Sequence, residues 1–303
     1  MRVVACGRDL WTGAGGDGET FNEARVEAAI DFINGRVVKS IRARPPQPSV
    51  ERLVGLAASG GFRRAVDETI PRGERGGSLV YQLLDDLPTA LLVSGVALAS
   101  AGMYPVRADF STMASRADIC AGWASDATIM VEGERLGHPP IVIGPAAPSL
   151  DYPGSDPLAW HATDPMAPHS TRRCRRIDVW IERNDEPLGE TVRVEAFFRD
   201  SQADADAVET VVHEYLVSAE LQPGSLEFVS CDAEIGVLPW VECPSAAASA
   251  SRVVGTTPGD LRERVRKTFV GTTTCTHLND TLRALACLDY LAGVLADRGE
   301  VRK

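Results

Sequence analysis

One order of secondary-structure signals occurs twice along this sequence, at an offset of roughly 200 residues. In the first copy, an Asn34-Gly35 turn joins two β-rich runs, and prolines then stop the sheet. A short helix ends at Val54-Gly55, and an arginine-bearing helix and a long apolar helix over residues 78–100 follow.

The second copy keeps the same order. Strands over residues 215–221 and 226–235 precede prolines, a helix that ends at Val254-Gly255, and a long apolar helix over residues 276–296. We interpret the repetition as an internal duplication, the alternative being that two halves share a common order by chance. The predicted fold class is α+β, with two related units that each pack an antiparallel sheet on helices.

Three regions follow from this reading. Residues 1–101 form the first α+β unit, and residues 172–303 form the second, with an additional strand pair at its start. Residues 102–171 are rich in Pro and Gly, so we expect an irregular segment that connects the units and covers a surface.

Charge and composition exclude several classes of protein. The net charge of -11 argues against a nucleic-acid-binding protein, because phosphate contacts require clustered Lys and Arg. The basic cluster fits a solvated or carboxylate-paired face better than a phosphate site: Arg172, Arg173, Arg175, Arg176.

Membrane insertion and export are not expected. The longest apolar run, residues 90–101, is well short of the ~20 residues that span a bilayer. The N-terminus lacks the apolar stretch of a secretory signal, and seven cysteines is an odd number for a disulfide framework. We therefore predict a cytoplasmic protein with free thiols, a small-molecule substrate, no nucleic-acid or membrane partner, and a homodimer as an open possibility.

The segment Thr273-Thr274-Cys275-Thr276-His277-Leu278 resembles a bacterial domain-of-unknown-function family, number two-eight-eight-nine, which ends in a Cys-Thr-His-Leu motif opening its last helix. Further residues carry the same resemblance across nearly the whole chain: Arg172-Arg173, Arg199-Asp200, Val212-His213, Cys243, Gly255, and, as in longer members, the segments 83–88 and 120–123. The family implies no activity.

A fainter likeness is to iron–sulfur scaffold proteins of the IscU/SufE kind. These place a cysteine after an antiparallel sheet, then an Ala/Ser-rich helix ending in Gly, then a helix opened by a Cys/His pair. The matching residues here are Cys243, Gly255, Cys275 and His277. The scaffold's first cysteine has no counterpart, since the comparable region offers His213 and Glu214.

Cys275 and His277 form the leading candidate for catalysis, assisted by Asp85, Asp86 or His213. The start of a helix favours a thiolate, and an imidazole two residues away could share a proton with that sulfur. We therefore predict a lowered pKa for Cys275, the alternative being a buried packing residue.

The same region offers a tetrahedral metal set. His213, Cys243, Cys275 and His277 supply two imidazoles and two sulfurs, which suits zinc or another divalent metal. The alternative is that His213 hydrogen-bonds within the sheet and Cys243 is a buried strand-end residue.

Paired acids lie inside the first apolar helix. Asp85 and Asp86 fall near Asp280 when the two copies are aligned, so a face lined by these acids, His277 and Cys275 would suit acid–base chemistry between the halves. The alternative is that one of the two acids caps the helix segment before Pro88.

Aromatic residues in the irregular segment are the candidates for substrate binding. Trp123, Trp160 and His161 could line a pocket or could anchor a long loop to the core. Outside this segment, Asp280 is a further candidate for substrate binding.

The predicted function is that of an enzyme that acts on a small, largely apolar organic substrate in a catabolic or natural-product pathway. Since no dinucleotide, P-loop, serine-elbow or zincin motif is found, we expect a lyase, cyclase or isomerase without an organic cofactor, with hydrolase next. The alternatives are a metal- or iron–sulfur-handling accessory protein and a non-catalytic ligand-binding subunit.

Overall fold

The computed structural model describes residues 1–13, 15–103, 114–137, 139–150, 156–183 and 190–300. The chain divides into two compact units, Met1–Val93 and Ser94–Lys303. Each is built around one antiparallel sheet, so the α+β class is confirmed. The predicted division into three regions stays a prediction.

The first unit contains a three-stranded antiparallel sheet in the order β1-β2-β3. Its strands are β1 (Arg2–Thr12), β2 (Gly18–Asp31) and β3 (Val37–Arg44). The predicted β2–β3 hairpin is present, whereas β1 is an unpredicted strand whose residues lack a regular alternation of polar and apolar side chains. A 3-10 helix (Pro48–Leu53), α1 (Phe62–Thr69), a short 3-10 turn (Arg72–Glu74) and α2 (Leu79–Ser100) follow.

The chain returns to this sheet after the 3-10 helix. Gly55 has a positive φ of 86°, a conformation that favours glycine. Its N–H donates to the carbonyl of Val38 at 2.8 Å, and the N–H of Val38 donates to the carbonyl of Leu56 at 2.9 Å. The first residues beyond the helix therefore extend the sheet at β3.

Helix α2 is the one described helix whose length and composition would allow it to cross a membrane, and 44% of its most apolar window is buried. The buried core helix of a soluble protein has the same length and composition, so these properties alone are weak evidence for a membrane-spanning helix. The cytoplasmic location stays a prediction.

The second unit contains a four-stranded antiparallel sheet in the order β4-β5-β6-β7. Its strands are β4 (Thr171–Arg183), β5 (Glu190–Ala203), β6 (Glu209–Leu221) and β7 (Phe228–Val237). Before the sheet come a 3-10 turn (Ala121–Trp123) and α3 (Thr128–Leu136), an unpredicted helix in a segment expected to be irregular.

The helices of this unit follow the sheet in the chain. They are a 3-10 helix (Cys243–Val253), α4 (Pro258–Thr268), α5 (Thr276–Ala284), a 3-10 turn (Leu285–Cys287) and α6 (Leu288–Glu300). The predicted single last helix is thus interrupted. The core joins one face of the sheet, with Phe198 and Tyr215, to the helices, with Leu261, Leu278 and Leu282.

The chain also returns to this second sheet after its 3-10 helix. Gly255 has a positive φ of 77°. Its N–H donates to the carbonyl of Phe228 at 2.9 Å, and the N–H of Phe228 donates to the carbonyl of Thr256 at 3.0 Å.

Candidate metal centre

The site is built on a cross-strand pair. Asp200 on β5 lies opposite His213 on β6. The register shifts immediately afterwards, because Ser201 pairs with Val211 and leaves Val212 as the extra residue of a bulge. A bulge bends its strand and re-aims the neighbouring side chains. Both members of the pair are buried.

His277 completes the cluster from the first turn of α5. Its ring stacks on that of His213, with centroids 3.6 Å apart and planes inclined by 21°. Its Nε2 atom lies 3.8 Å from Oδ2 of Asp200. Helix α5 therefore places a second imidazole beside the bulged strand pair.

These three residues could hold a metal ion. One donor atom from each of Asp200, His213 and His277 lies within 4.8 Å of the others. Within the described part of the chain, His213 Nδ1 and His277 Nε2 are buried and have no hydrogen-bond partner. Buried polar atoms are normally paired, so the two nitrogens are the atoms of the cluster most open to a ligand.

Arg173 fixes the carboxylate of the cluster. Its Nε and Nη2 atoms donate to Asp200 at 2.8 and 2.7 Å, and its Nη1 donates to Asp280 at 3.3 Å. The guanidinium carbon also lies 4.9 Å from the centre of the Phe198 ring. Arg173 therefore links the carboxylate of the cluster to a second buried acid.

Burial keeps both imidazoles neutral. It lowers the pKa of His213 well below its usual value, and the neighbouring His277 lowers it further. Burial, assisted by the charge of Arg173, lowers the pKa of His277 to about 3. Since the neutral ring is the form that binds metals, both histidines are ready to act as ligands.

Cys275 lies beside His277, on the Nδ1 side of its ring. Its Sγ is 3.9 Å from Nδ1 of His277, and the thiol is only 4% exposed. The predicted lowering of its pKa is wrong: burial raises the pKa of Cys275, and the Tyr215 hydroxyl and the amides of Leu278 and His277 only partly oppose this. Desolvation disfavours the thiolate more strongly than the helix start favours it.

The four-residue metal set expected from the sequence is only partly assembled in the converging group. Its two histidines are there, but the group contains Asp200 and neither Cys243 nor Cys275. Cys243 packs instead against Gly122, where an added Cβ would lie 2.5 Å from the sulfur. In the sequence, Asp200 was noted only as part of a family resemblance. It could not be identified as a site residue, because only the register of the strands shows that it lies opposite His213.

The paired acids of α2 belong to the first unit, whereas Asp280 belongs to the second. Asp85 is buried, and its carboxylate lies 3.8 Å from Nε of Arg63. Asp86 is half-buried. The expected acid–base face between the halves stays a prediction.

The contacts of the two tryptophans favour loop anchoring. Trp160 meets Phe197 edge-on at 5.6 Å, and the guanidinium of Arg176 lies 5.6 Å from the Trp160 ring centre. Trp123 packs against a small cluster of apolar residues that includes Ile129. His161 is half-buried in the same loop as Trp160, and a substrate-binding role for these residues stays a prediction.

The second unit is therefore an α+β domain that carries a buried cluster of two histidines and one carboxylate. Residues 171–290 match a family model described as "Protein of unknown function (DUF2889)". This confirms the resemblance seen in the sequence over the four-stranded sheet and the helices that complete the cluster. No curated protein and no solved structure matches the chain, so the likeness to iron–sulfur scaffolds gains no support from known structures.

Proposed function

We propose that the second unit binds one divalent first-row metal ion through Asp200, His213 and His277. The observation that carries this proposal is the convergence of donor atoms from two buried imidazoles and a buried carboxylate to within 4.8 Å, with one unpartnered nitrogen on each ring. Imidazole and carboxylate ligands suit zinc, and two histidines with one carboxylate also suit iron(II).

The hydrogen bonds of Asp200 support the proposal as well. Because Arg173 donates to both oxygens of Asp200, it holds the carboxylate in one orientation, as the hydrogen-bond partners of metal ligands commonly do.

Three protein ligands leave coordination positions open, an arrangement typical of catalytic rather than structural zinc sites. We therefore assign to this centre the proposed cytoplasmic enzyme activity on a small, largely apolar substrate, of the lyase, cyclase or isomerase type, with hydrolase next. Neutral imidazoles with strongly lowered pKa values are poor general bases at neutral pH, which favours a metal-dependent reaction over simple acid–base catalysis.

Metal binding can be tested directly. Purified protein is stripped with a chelator and titrated with Zn²⁺ and with Co²⁺, whose visible spectrum reports ligand type and geometry. We expect one ion per chain and a Co²⁺ spectrum of nitrogen and oxygen ligands. His213→Gln and His277→Gln should each bind at least about 100-fold more weakly, because losing a ligand should cost at least as much as losing a residue that orients one. The matched control, His161→Gln, should bind like the unaltered protein.

Two results would overturn the proposal. The first is a stripped, folded protein that binds neither ion. The second is binding that is unchanged in both folded histidine variants. A sulfur-to-cobalt charge-transfer band would instead favour the ligand set with Cys243 and Cys275, and labile sulfide would favour the iron–sulfur accessory function.

A second candidate function is a metal-independent enzyme that uses the Cys275–His277 pair, supported by the 3.9 Å contact between Sγ and Nδ1. Alkylation of Cys275 in chelator-treated protein, followed by mass spectrometry, tests it. This candidate requires His277→Gln to slow the reaction, and an unchanged rate in the folded variant excludes it.

We also propose that the two units arose by duplication. In each, a 3-10 helix ends at Val-Gly, the glycine has a positive φ, and the residues after it pair with the last strand of the sheet. Shared backbone pairing is more specific evidence for a common origin than a shared order of helices and strands. Experimental structures of the two units should superpose over these segments, and unrelated chain paths after the 3-10 helices would contradict the proposal.

A further inference from the structure

A segment before the second sheet runs along one of its strands. We call residues 141–148 the strap. The N–H of Val211 donates to the carbonyl of Pro145 at 2.9 Å, and the N–H of Ala147 donates to the carbonyl of Glu209 at 2.9 Å. Between these bonds, Ala146 and Thr210 form an antiparallel bridge.

The strap pairs with the part of β6 that β7 leaves free. Strand β7 pairs with β6 from Glu214 to Leu221, and the strap pairs with residues 209–211. The bulge residue Val212 and the ligand His213 lie between these two paired stretches. The strap is therefore the element that holds β6 on the N-terminal side of the site.

Two side chains of β5 also hold the strap. Nη1 of Arg199 donates to the carbonyl of Pro148 at 2.7 Å, and Nε2 of Gln202 donates to the carbonyl of Val142 at 2.8 Å. These residues come directly before and two residues after Asp200. The anchors on β5 and β6 thus bracket the bulged pair of Asp200 and His213.

Gly144 brings the strap close to β6. A Cβ at this position would lie 1.6 Å from the carbonyl oxygen of Val211 and 2.8 Å from its carbonyl carbon. Both atoms belong to the backbone of a paired strand, so they cannot move aside as a flexible side chain can. Any larger residue must therefore displace the strap, the bulge, or both.

We infer that the strap is a positioning element for the metal centre, and that the affinity for the cation depends on the close approach of Gly144 to Val211. This inference rests on the proposed function. A bulge has one residue more than its partner strand, so its register needs support from the next neighbour in the sheet. Without the strap, the only neighbour at residues 209–213 of β6 among the described strands is β5.

The test compares Gly144→Ala with Gly293→Ala. Gly293 lies in α6, and an added Cβ there meets nothing within 4 Å. We expect Gly144→Ala to weaken Co²⁺ binding about 10- to 100-fold, the range found when residues that orient metal ligands are changed. Its Co²⁺ spectrum should also change, because the ligand pair loses its register. The Gly293→Ala variant should match the unaltered protein in both measurements.

Circular dichroism separates local from global effects. If Gly144→Ala does not fold, Gln202→Ala removes one anchor without a steric clash and should weaken binding in the same direction. The inference would be overturned if folded Gly144→Ala bound Co²⁺ with unaltered affinity and spectrum. If that variant does not fold, the same result in folded Gln202→Ala would overturn it. In both cases the proposed metal site itself would stand. Failure of the unaltered protein to bind Co²⁺ would overturn the proposed function itself.

Discussion

Arg173 should be essential for the stability of the second unit. The change Arg173→Met keeps most of the side-chain volume and removes the charge. Arg173 is buried together with Asp200 and Asp280, whose side chains are 1% and 3% exposed. The variant therefore removes the cation that donates to both oxygens of Asp200, and it removes one donor from Asp280.

The magnitude follows from this geometry. Removing one partner of a buried ion pair typically costs about 3–5 kcal/mol in unfolding free energy. For a domain of this size, each kcal/mol lowers the melting temperature by roughly 2–4 °C, so we expect a decrease of about 6–20 °C. Urea unfolding followed by tryptophan fluorescence should show a lower midpoint with an unchanged slope.

A matched control is available on the edge of the same sheet. Arg183 lies 3.1 Å from Glu190, but both side chains are exposed, at 81% and 48%. Arg183→Met should cost less than about 1 kcal/mol, because solvent screens such pairs. The double variant Arg173→Met with Asp200→Asn should be more stable than the single variant, since one uncompensated charge is gone. Equal losses in Arg173→Met and Arg183→Met would refute the reasoning.

Three further predictions follow from burial. Iodoacetamide should alkylate Cys275 more slowly than the exposed Cys6 at neutral pH, because burial raises the pKa of Cys275 and blocks access, as peptide mass spectrometry can measure. In metal-free protein, the unfolding free energy should fall as pH decreases from 6.5 towards 3, by up to about 1.4 kcal/mol per pH unit for His277. In this pH range the imidazole is protonated in the unfolded chain and stays neutral in the folded protein. Gly122→Ala should lower the unfolding free energy by about 1–3 kcal/mol in urea titrations, because its Cβ would overlap the sulfur of Cys243.

Each of these three predictions has a result that would contradict it. Alkylation of Cys275 as fast as that of Cys6 would mean that the thiol is accessible. A pH profile between 3 and 6.5 that is identical in His277→Gln would mean that this imidazole is not buried as a neutral group. Wild-type stability in Gly122→Ala would mean that Cys243 can move aside.

The sequence predicted the elements whose signals are local. The Asn34-Gly35 turn indicated the β2–β3 hairpin, and the leucines of the last segment indicated helices packed on the core. It did not predict β1, in which the apolar residues 3–6 are consecutive and show no alternation with polar ones. It also did not predict the 3-10 turn at Leu285–Cys287, which interrupts an otherwise regular apolar stripe.

The candidate site was predicted only in part, because some of its features depend on local sequence and others on the folded structure. His213 and His277 were identified from residue type, and their proximity followed from a sheet packed on a final helix. Asp200 could not be identified as their partner, because the bulge at Val212 determines which β5 residue lies opposite His213. The raised pKa of Cys275 could not be predicted either, since desolvation depends on packing that a helix-start signal does not contain.

The chain order of the three proposed ligands has a consequence for how the protein is made. Asp200 and His213 lie on neighbouring strands of one hairpin, whereas His277 arrives only with α5, after a further strand and two helices. A nascent chain that has emerged only as far as β7 can form the hairpin but has one imidazole at the bulge. Loops that close late contribute last to folding, so cation binding would mark completion of the unit during synthesis rather than guide its first steps.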